Sequence, residues 1–407
     1  MAFDHFWTLL LAWIYLPWLC RATSLPDARE HPGEFNRVVS PVVFASLEEL
    51  ARVIDVSYCV GNTGIRKPFE CLSHCAELRG FELIASWNTG PLLSDSCGYV
   101  ALSHAPSPQR IVVAFRGTYS VANTIVDLSA YPQAYVPYGA GDGPGGGEQP
   151  PRCRNCTVHA GFMTSWQNTR DTVLPHVAAA RERFPEYELV LVGHSLGGAV
   201  AALAGLEMRL RGWDPQVTTF GEPMVGNGGF VRFLDAAFGF DDAGRGSDDR
   251  QWRFRRVTHA RDPVPLLPLA EWGYEMHAGE MFISKVDLSP SRLDVALCKG
   301  RNDSRCISGS RAVQEPALRE MRSLLTAGLR QPDWVYPAGQ AVLRPPTPGV
   351  REAAVSQQHQ EPQQLPFHWP WDRVPIRYRL WELFFAHRDY FWRLGLCVPG
   401  GDPTGTG

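Results

Sequence analysis

Val190-Leu191-Val192-Gly193-His194-Ser195-Leu196-Gly197-Gly198 is an apolar run that ends in Gly-x-Ser-x-Gly and passes into a stretch of small residues. The glycines let a strand turn sharply into a helix without a Cβ clash, which leaves a serine on a strained elbow with its Oγ free. Upstream, 188–192 reads as a buried strand. Downstream, Leu196, Ala199, Val200, Leu203, Leu206 and Leu210 recur at helical spacing. The pentapeptide alone is common and can be a tight turn with a passive serine; the strand before it and the helix after it make Ser195 a candidate nucleophile.

The chain has 407 residues, 44% hydrophobic and 20% charged, enough for one large globular domain with insertions. A formal net charge of −3 supplies no basic field for phosphates, which argues against nucleic acid as a partner. Residues 6–20 form an apolar run too short for an ordinary membrane span, and Cys20-Arg21-Ala22 follows with a small residue suited to cleavage. Residues 1–22 therefore read as a secretory signal peptide and 23–407 as the mature domain. The n-region departs from the usual pattern, holding Asp4 and His5 but no Lys or Arg, so an uncleaved anchor is the alternative.

Ten cysteines suit disulfides in an oxidising compartment. Cys71 and Cys75 close a small loop, and Cys298 and Cys306 bracket a polar one. Cys153-x-x-Cys156 fits a short-loop disulfide better than a redox or zinc half-site, because no second pair or His cluster accompanies it. Asn155-Cys156-Thr157 and Asn302-Asp303-Ser304 are glycosylation sequons.

Along the chain, 47–56 reads as a short amphipathic helix, and 81–87, 98–103, 110–115, 217–220 and 253–259 read as strands. Phe162, Trp166, Thr169, Val173, Val177 and Ala180 trace one face of a helix that Pro175 should kink. The strand Ile111-Val112-Val113-Ala114-Phe115 stops at Arg116-Gly117-Thr118, a loop able to aim an N–H and a hydroxyl at a developing oxyanion. Val121, Ile125, Val126 and Leu128, after Tyr119, suit a short helix that is either packed or mobile over a cleft. Asp262 falls just past the end of a strand, where an open α/β sheet collects its chemistry. Residues 139–151 and 337–366 are low-complexity insertions, and 312–329 reads as an amphipathic helix.

Seven ordered blocks give the chain a wider likeness: Phe115-Arg116-Gly117-Thr118, Cys153-x-x-Cys156 with His159-Ala160-Gly161-Phe162, the serine elbow, Phe220-Gly221-Glu222-Pro223 with Gly226-Asn227, Val257-Thr258-His259 with Asp262, Gly273-Tyr274 with His277, and Ala386-His387 with Tyr390-Phe391 and Cys397. From about residue 47 to 397 the chain resembles the secreted fungal lipases of the class 3 family, which also includes feruloyl esterases. That resemblance implies an α/β-hydrolase fold and a triad of Ser195, Asp262 and His387. It also implies an oxyanion hole from Thr118 and the backbone N–H of Leu196, a lid over 119–128, and disulfides Cys59–Cys397, Cys71–Cys75 and Cys153–Cys156. Both His277 and His387 satisfy the chain order Ser, Asp, His. By resemblance His387 matches the block that carries the imidazole, and His277 a structural one; His159, His194 and His259 hold loops or fill space.

The expected activity is therefore that of a secreted triacylglycerol lipase working through an acyl-enzyme on acylglycerol esters at a lipid–water interface, with no metal, organic cofactor or stable protein partner. Thr124 stands where some relatives carry a lid tryptophan, which keeps a feruloyl esterase as the alternative. An inactive lipase-like binding protein is the alternative from another class.

Overall fold

The computed structural model describes residues 37–90, 95–118, 132–137, 152–240, 248–309, 314–315 and 385–398. The expected signal peptide, the lid residues Tyr119, Val121, Ile125, Val126 and Leu128, both insertions and all but two residues of the expected helix over 312–329 lie outside them.

The first helix, α1 (Pro41–Ser57), begins well before residue 47. Ser40 caps it by accepting from the Val43 backbone N–H, and Pro41 occupies a first-turn position that needs no donor. Apolar periodicity missed this turn because Val42 points to solvent. Three strands follow: β1 (Phe81–Asn88), β2 (Cys97–Ser103) and β3 (Arg110–Arg116). After the short β4 (Pro132–Ala134) and β5 (Thr157–His159) comes α2 (Ala160–Arg183). The chain continues through β6 (Glu188–His194), α3 (Leu196–Leu210), β7 (Gln216–Phe220), β8 (Gly226–Asn227) and α4 (Gly228–Ala237). The last strands are β9 (Phe254–His259), β10 (Tyr274–Glu275), β11 (Glu280–Ile283) and β12 (Val295–Leu297).

Eight strands make the main sheet in the order β1-β2-β3-β6-β7-β9-β11-β12. The five from β3 to β11 run parallel, and β1, β2 and β12 add antiparallel edges. A parallel strand in mid-sheet is covered on both faces, so it reads as an uninterrupted apolar run. β6 shows this: Leu189 to His194 are all buried, with Val192 paired to Ala114 on one side and Thr218 on the other. Helix α3 packs on β3, β6 and β7, α2 packs on α3, and α1 packs on β3 and β6. A smaller sheet, β10-β8-β5-β4, carries strands of two or three residues.

Helix α2 runs through Pro175 without interruption. Pro175 and Asp171, whose carbonyl loses its i+4 donor, both lie on the exposed side, where water can satisfy that carbonyl. The opposite face, including Phe162, Trp166, Val173 and Val177, is buried. Trp166 stacks edge-on against Phe115 with centroids 6.2 Å apart, and its indole N–H donates to Glu207 Oε2 at 2.8 Å. Arg170 and Arg211 also bond Glu207, so this buried carboxylate is fully paired.

Disulfides join Cys59 to Cys397, Cys71 to Cys75, Cys153 to Cys156 and Cys298 to Cys306, and Cys97 is a buried free thiol. The first of these spans 338 residues and holds the C-terminal segment against the end of α1. The same segment also packs along α1, where Phe44 meets Phe391 edge-on at 5.4 Å and the Arg52 guanidinium lies 4.3 Å from the centroid of the Trp392 ring. Replacing Cys59 and Cys397 together by serine is expected to lower stability by about 2–5 kcal/mol, read from urea unfolding of the two proteins side by side.

Candidate active site

Ser195 follows the last residue of β6 and caps α3 with φ 58° and ψ −130°, a conformation that costs a side-chain-bearing residue about 1–3 kcal/mol. Two close approaches hold it there. A Cβ on Gly193 would lie 2.2 Å from the Gly197 carbonyl oxygen, and one on Gly197 would lie 2.1 Å from that of Phe115. Only hydrogen at both positions lets the helix start directly over the ends of β6 and β3. The Ser195 backbone N–H donates to Phe220 O at 2.9 Å, which ties the elbow to the end of β7.

Asp262 lies three residues beyond β9 and is fully buried. Its oxygens accept from His387 Nδ1, 2.9 Å from each, from the Tyr390 hydroxyl, and from the Val264 backbone N–H at 2.9 Å. Three donors compensate the desolvation of a charge that no water reaches. Because Nδ1–H is given to the carboxylate, Nε2 is the basic nitrogen of His387. Burial, and then the negative charge of Asp262, push the Tyr390 phenol well above its ordinary value, so Tyr390 remains a donor.

His387 and Ser195 come from segments that share a third side chain. His194 Nε2 lies 2.9 Å from the His387 carbonyl oxygen, which can only accept, so Nε2 carries the hydrogen and Nδ1 accepts from the Tyr58 hydroxyl. The His194 and His387 rings are 4.6 Å apart. Burial, reinforced by His387, holds His194 well below the usual imidazole range, and burial pushes the Tyr58 phenol up to about 12, so both stay neutral. Among the described residues, Ser195 Oγ and His387 Nε2 are buried and have no hydrogen-bond partner.

Gly117 brings the β3 loop beside the serine: a Cβ there would lie 2.8 Å from Ser195 Cβ and 2.5 Å from Tyr58 Oη. Thr118 follows it and is half-buried. Leu196 opens α3, where a backbone N–H has no partner within the helix. His277, the rival in chain order, is not at Asp262; its Nε2 lies 2.9 Å from Glu222 Oε1. His159 caps α2, and His259 bonds the Lys285 carbonyl. Tyr58 and Tyr390 are site residues that sequence reasoning did not assign, although Tyr390 lay inside the aromatic C-terminal block. Asn155 and Asn302 are exposed. One group of potential metal ligands occurs among the described residues, Glu280 with Cys298 and Cys306, but both sulfurs belong to one disulfide.

A mostly parallel sheet with a strained serine elbow after a central strand and a buried carboxylate–imidazole pair beside it defines an α/β-hydrolase. Residues 112–272 match the family model of class 3 lipases. The secreted mono- and diacylglycerol lipase 2 of Gibberella zeae is 48% identical over 91% of this chain and 85% of its own length, and lipase A of Sodiomyces alcalophilus is 48% identical over 96% and 91%. The crystal structure of Lip2 lipase from Yarrowia lipolytica superposes with a TM-score of 0.59 at 33% identity, covering 68% of this chain and 91% of that one. The chain belongs to the class 3 lipase family, and it is a carboxylic-ester hydrolase of the lipase type.

Two outcomes follow from the buried partners. Tyr390→Phe removes one donor from a buried carboxylate, so stability should fall by about 1.5–3 kcal/mol, read from urea unfolding beside the parent. His194 is held below its unfolded value, so as pH falls through about 6.5 the unfolded chain takes up a proton that the native chain refuses. Its contribution is complete above that pH and declines below it by at most about 1.4 kcal/mol per pH unit. Urea unfolding of the parent and His194→Asn between pH 7 and 5 should show a steeper loss in the parent; equal slopes would remove His194 as the cause.

Proposed function

We propose that this chain is a secreted triacylglycerol-type lipase in which Ser195 is the nucleophile, His387 the general base and Asp262 the group that orients and supports the imidazolium. The observation that carries the reading is the pairing of His387 Nδ1 with both oxygens of Asp262 while Nε2 stays buried and unpartnered among the described residues, as does Ser195 Oγ. A serine hydroxyl is a poor nucleophile at neutral pH, so Nε2 takes its proton as Oγ attacks the ester carbonyl. The leaving alcohol then receives that proton, and water repeats the sequence on the acyl-enzyme. The negative charge that develops on the carbonyl oxygen is met by Thr118 and the backbone N–H of Leu196, each donor worth about 10²–10³-fold.

Acylglycerols are the substrate class. The relatives from Gibberella zeae and Penicillium camembertii are named mono- and diacylglycerol lipases, so partial glycerides belong in the test beside triacylglycerols. Residues 119–128, with apolar Val121, Ile125, Val126 and Leu128, would form the lid that meets the lipid–water interface. The extracellular route also makes Asn155 and Asn302, both exposed, acceptors for N-glycans.

Hydrolysis of emulsified triolein, diolein and monoolein, compared with methyl ferulate, tests the substrate class. Release of oleate from the glycerides is expected, and activity confined to the ferulate would identify a feruloyl esterase instead. Ser195→Ala should lower turnover by at least about 10⁴-fold. Unchanged turnover would remove Ser195 as nucleophile, and no turnover by the parent on any ester would support a binding protein.

A further inference from the structure

We propose that Glu222 and His277 form a positioning pair for the catalytic machinery, holding the turn after β7 in the one conformation that aligns the serine elbow with the His387–Asp262 pair. The proposal rests on the reading of Ser195, His387 and Asp262 as the triad. Four consecutive residues, 219–222, touch every part of that assembly. Phe220 O accepts the Ser195 backbone N–H at 2.9 Å. Gly221, with φ 59°, is so close to the acid–base pair that a Cβ would lie 2.8 Å from Asp262 Oδ2, His387 Cε1 and Tyr390 Oη alike. Glu222 stands against the first turn of α3, its Cβ 3.2 Å from where a Cβ on Gly198 would sit.

The side chain of Glu222 fixes this turn from within the core, where it is 1% exposed. Its Oε2 accepts from Thr219 Oγ1 at 2.6 Å, closing the turn on itself, and its Oε1 lies 2.9 Å from His277 Nε2. His277 in turn is locked. Its Nδ1 lies 2.7 Å from the Ala278 carbonyl oxygen, and the Ala278 N–H donates to Asp235 Oδ1 on α4 at 2.9 Å. The Phe254 ring on β9 packs against the imidazole at 4.5 Å. A carbonyl only accepts, so Nδ1 carries a hydrogen, and the Nε2–Oε1 contact shares one further proton between imidazole and carboxylate. The turn behind the triad is thereby tied to β9, α4 and the approach to β11 through a charge-assisted bond sealed from water. His277 is thus a second buried histidine paired with a carboxylate, built to hold a backbone and not to transfer a proton to substrate.

The test is the rate of inactivation by diethyl p-nitrophenyl phosphate, in which Ser195 Oγ forms a bond to phosphorus, p-nitrophenolate leaves, and His387 takes the hydroxyl proton. The p-nitrophenolate burst amplitude counts folded, active enzyme, whereas the rate constant reports alignment of nucleophile and base, so loss of fold and loss of positioning separate. Glu222→Gln and His277→Leu are expected to lower the rate constant, and kcat on p-nitrophenyl butyrate, at least tenfold with KM within twofold of the parent. His277→Gln, whose amide can still donate to Glu222, should recover part of the loss. If His277→Leu gives no burst, Glu222→Gln and His277→Gln are judged by the same criterion. Rate constants within twofold of the parent at any amplitude would overturn the positioning role. Ser195→Ala keeps the two readings apart: stoichiometric release of p-nitrophenolate by that variant would overturn the triad itself, and its absence together with unchanged rates in the pair variants would overturn only this proposal.

Discussion

The hydrogen bond from His194 Nε2 to the carbonyl of His387 joins segments 193 residues apart, and the site depends on it. One end sits next to the serine on the elbow, and the other is the backbone of the residue that reaches Asp262. A neutral His194 serves both neighbours at once, Nε2 donating to that carbonyl while Nδ1 accepts from the Tyr58 hydroxyl. Complete burial and the Tyr58 hydroxyl impose that state. A protonated ring would have to donate from both nitrogens, and the Tyr58 phenol, held neutral, would have to turn its hydrogen away.

His387 lies in a segment with little regular structure, so its placement is bought with tertiary contacts. Asp55 near the end of α1 supplies several of them. It is buried, accepts the Gly395 N–H at 2.6 Å and the Ser73 hydroxyl, and stands near His74 and Arg388. Arg388, adjacent to His387, donates to the Gly395 carbonyl at 2.9 Å. Burial raises the Asp55 carboxyl, and its hydrogen bonds to Ser73 and Gly395, with His74 and the Arg388 guanidinium nearby, work against that rise. Together with the Cys59–Cys397 bridge, these bonds give a loop-like segment the rigidity that a helix or strand would otherwise provide.

How much could be read in advance follows from the lengths and surroundings of the elements. β3 and β6 stand out because both faces of each are covered, and the buried face of α2 appears residue by residue from Phe162 to Ala180 because one side of the helix meets the core. The small sheet escaped notice: strands of two or three residues carry no period, and their pairing is set by loops that bring Val158 to Gly226. The start of α1 was hidden for another reason, since in its first turn only Val43 is buried while Val42 is exposed, and a serine cap and a proline mark where the helix begins. The choice between His277 and His387 was beyond periodicity altogether, because each lies in an apolar setting and each pairs with a buried carboxylate.

Local sequence by itself determined the elbow, since the absence of Cβ atoms at Gly193 and Gly197 and the burial of β6 are properties of a few neighbouring residues. It determined that a carboxylate would follow β9 and that a sheet of parallel strands would hold both. The resemblance pointed to His387 and to a Cys59–Cys397 bridge, but only the tertiary structure showed the contacts behind them, namely the phenols standing by the carboxylate–imidazole pair and the bonds that return the far end of the chain to α1. These depend on contacts between residues more than a hundred positions apart, whose energies come from desolvation and exact approach, and no short-range pattern along the chain encodes them.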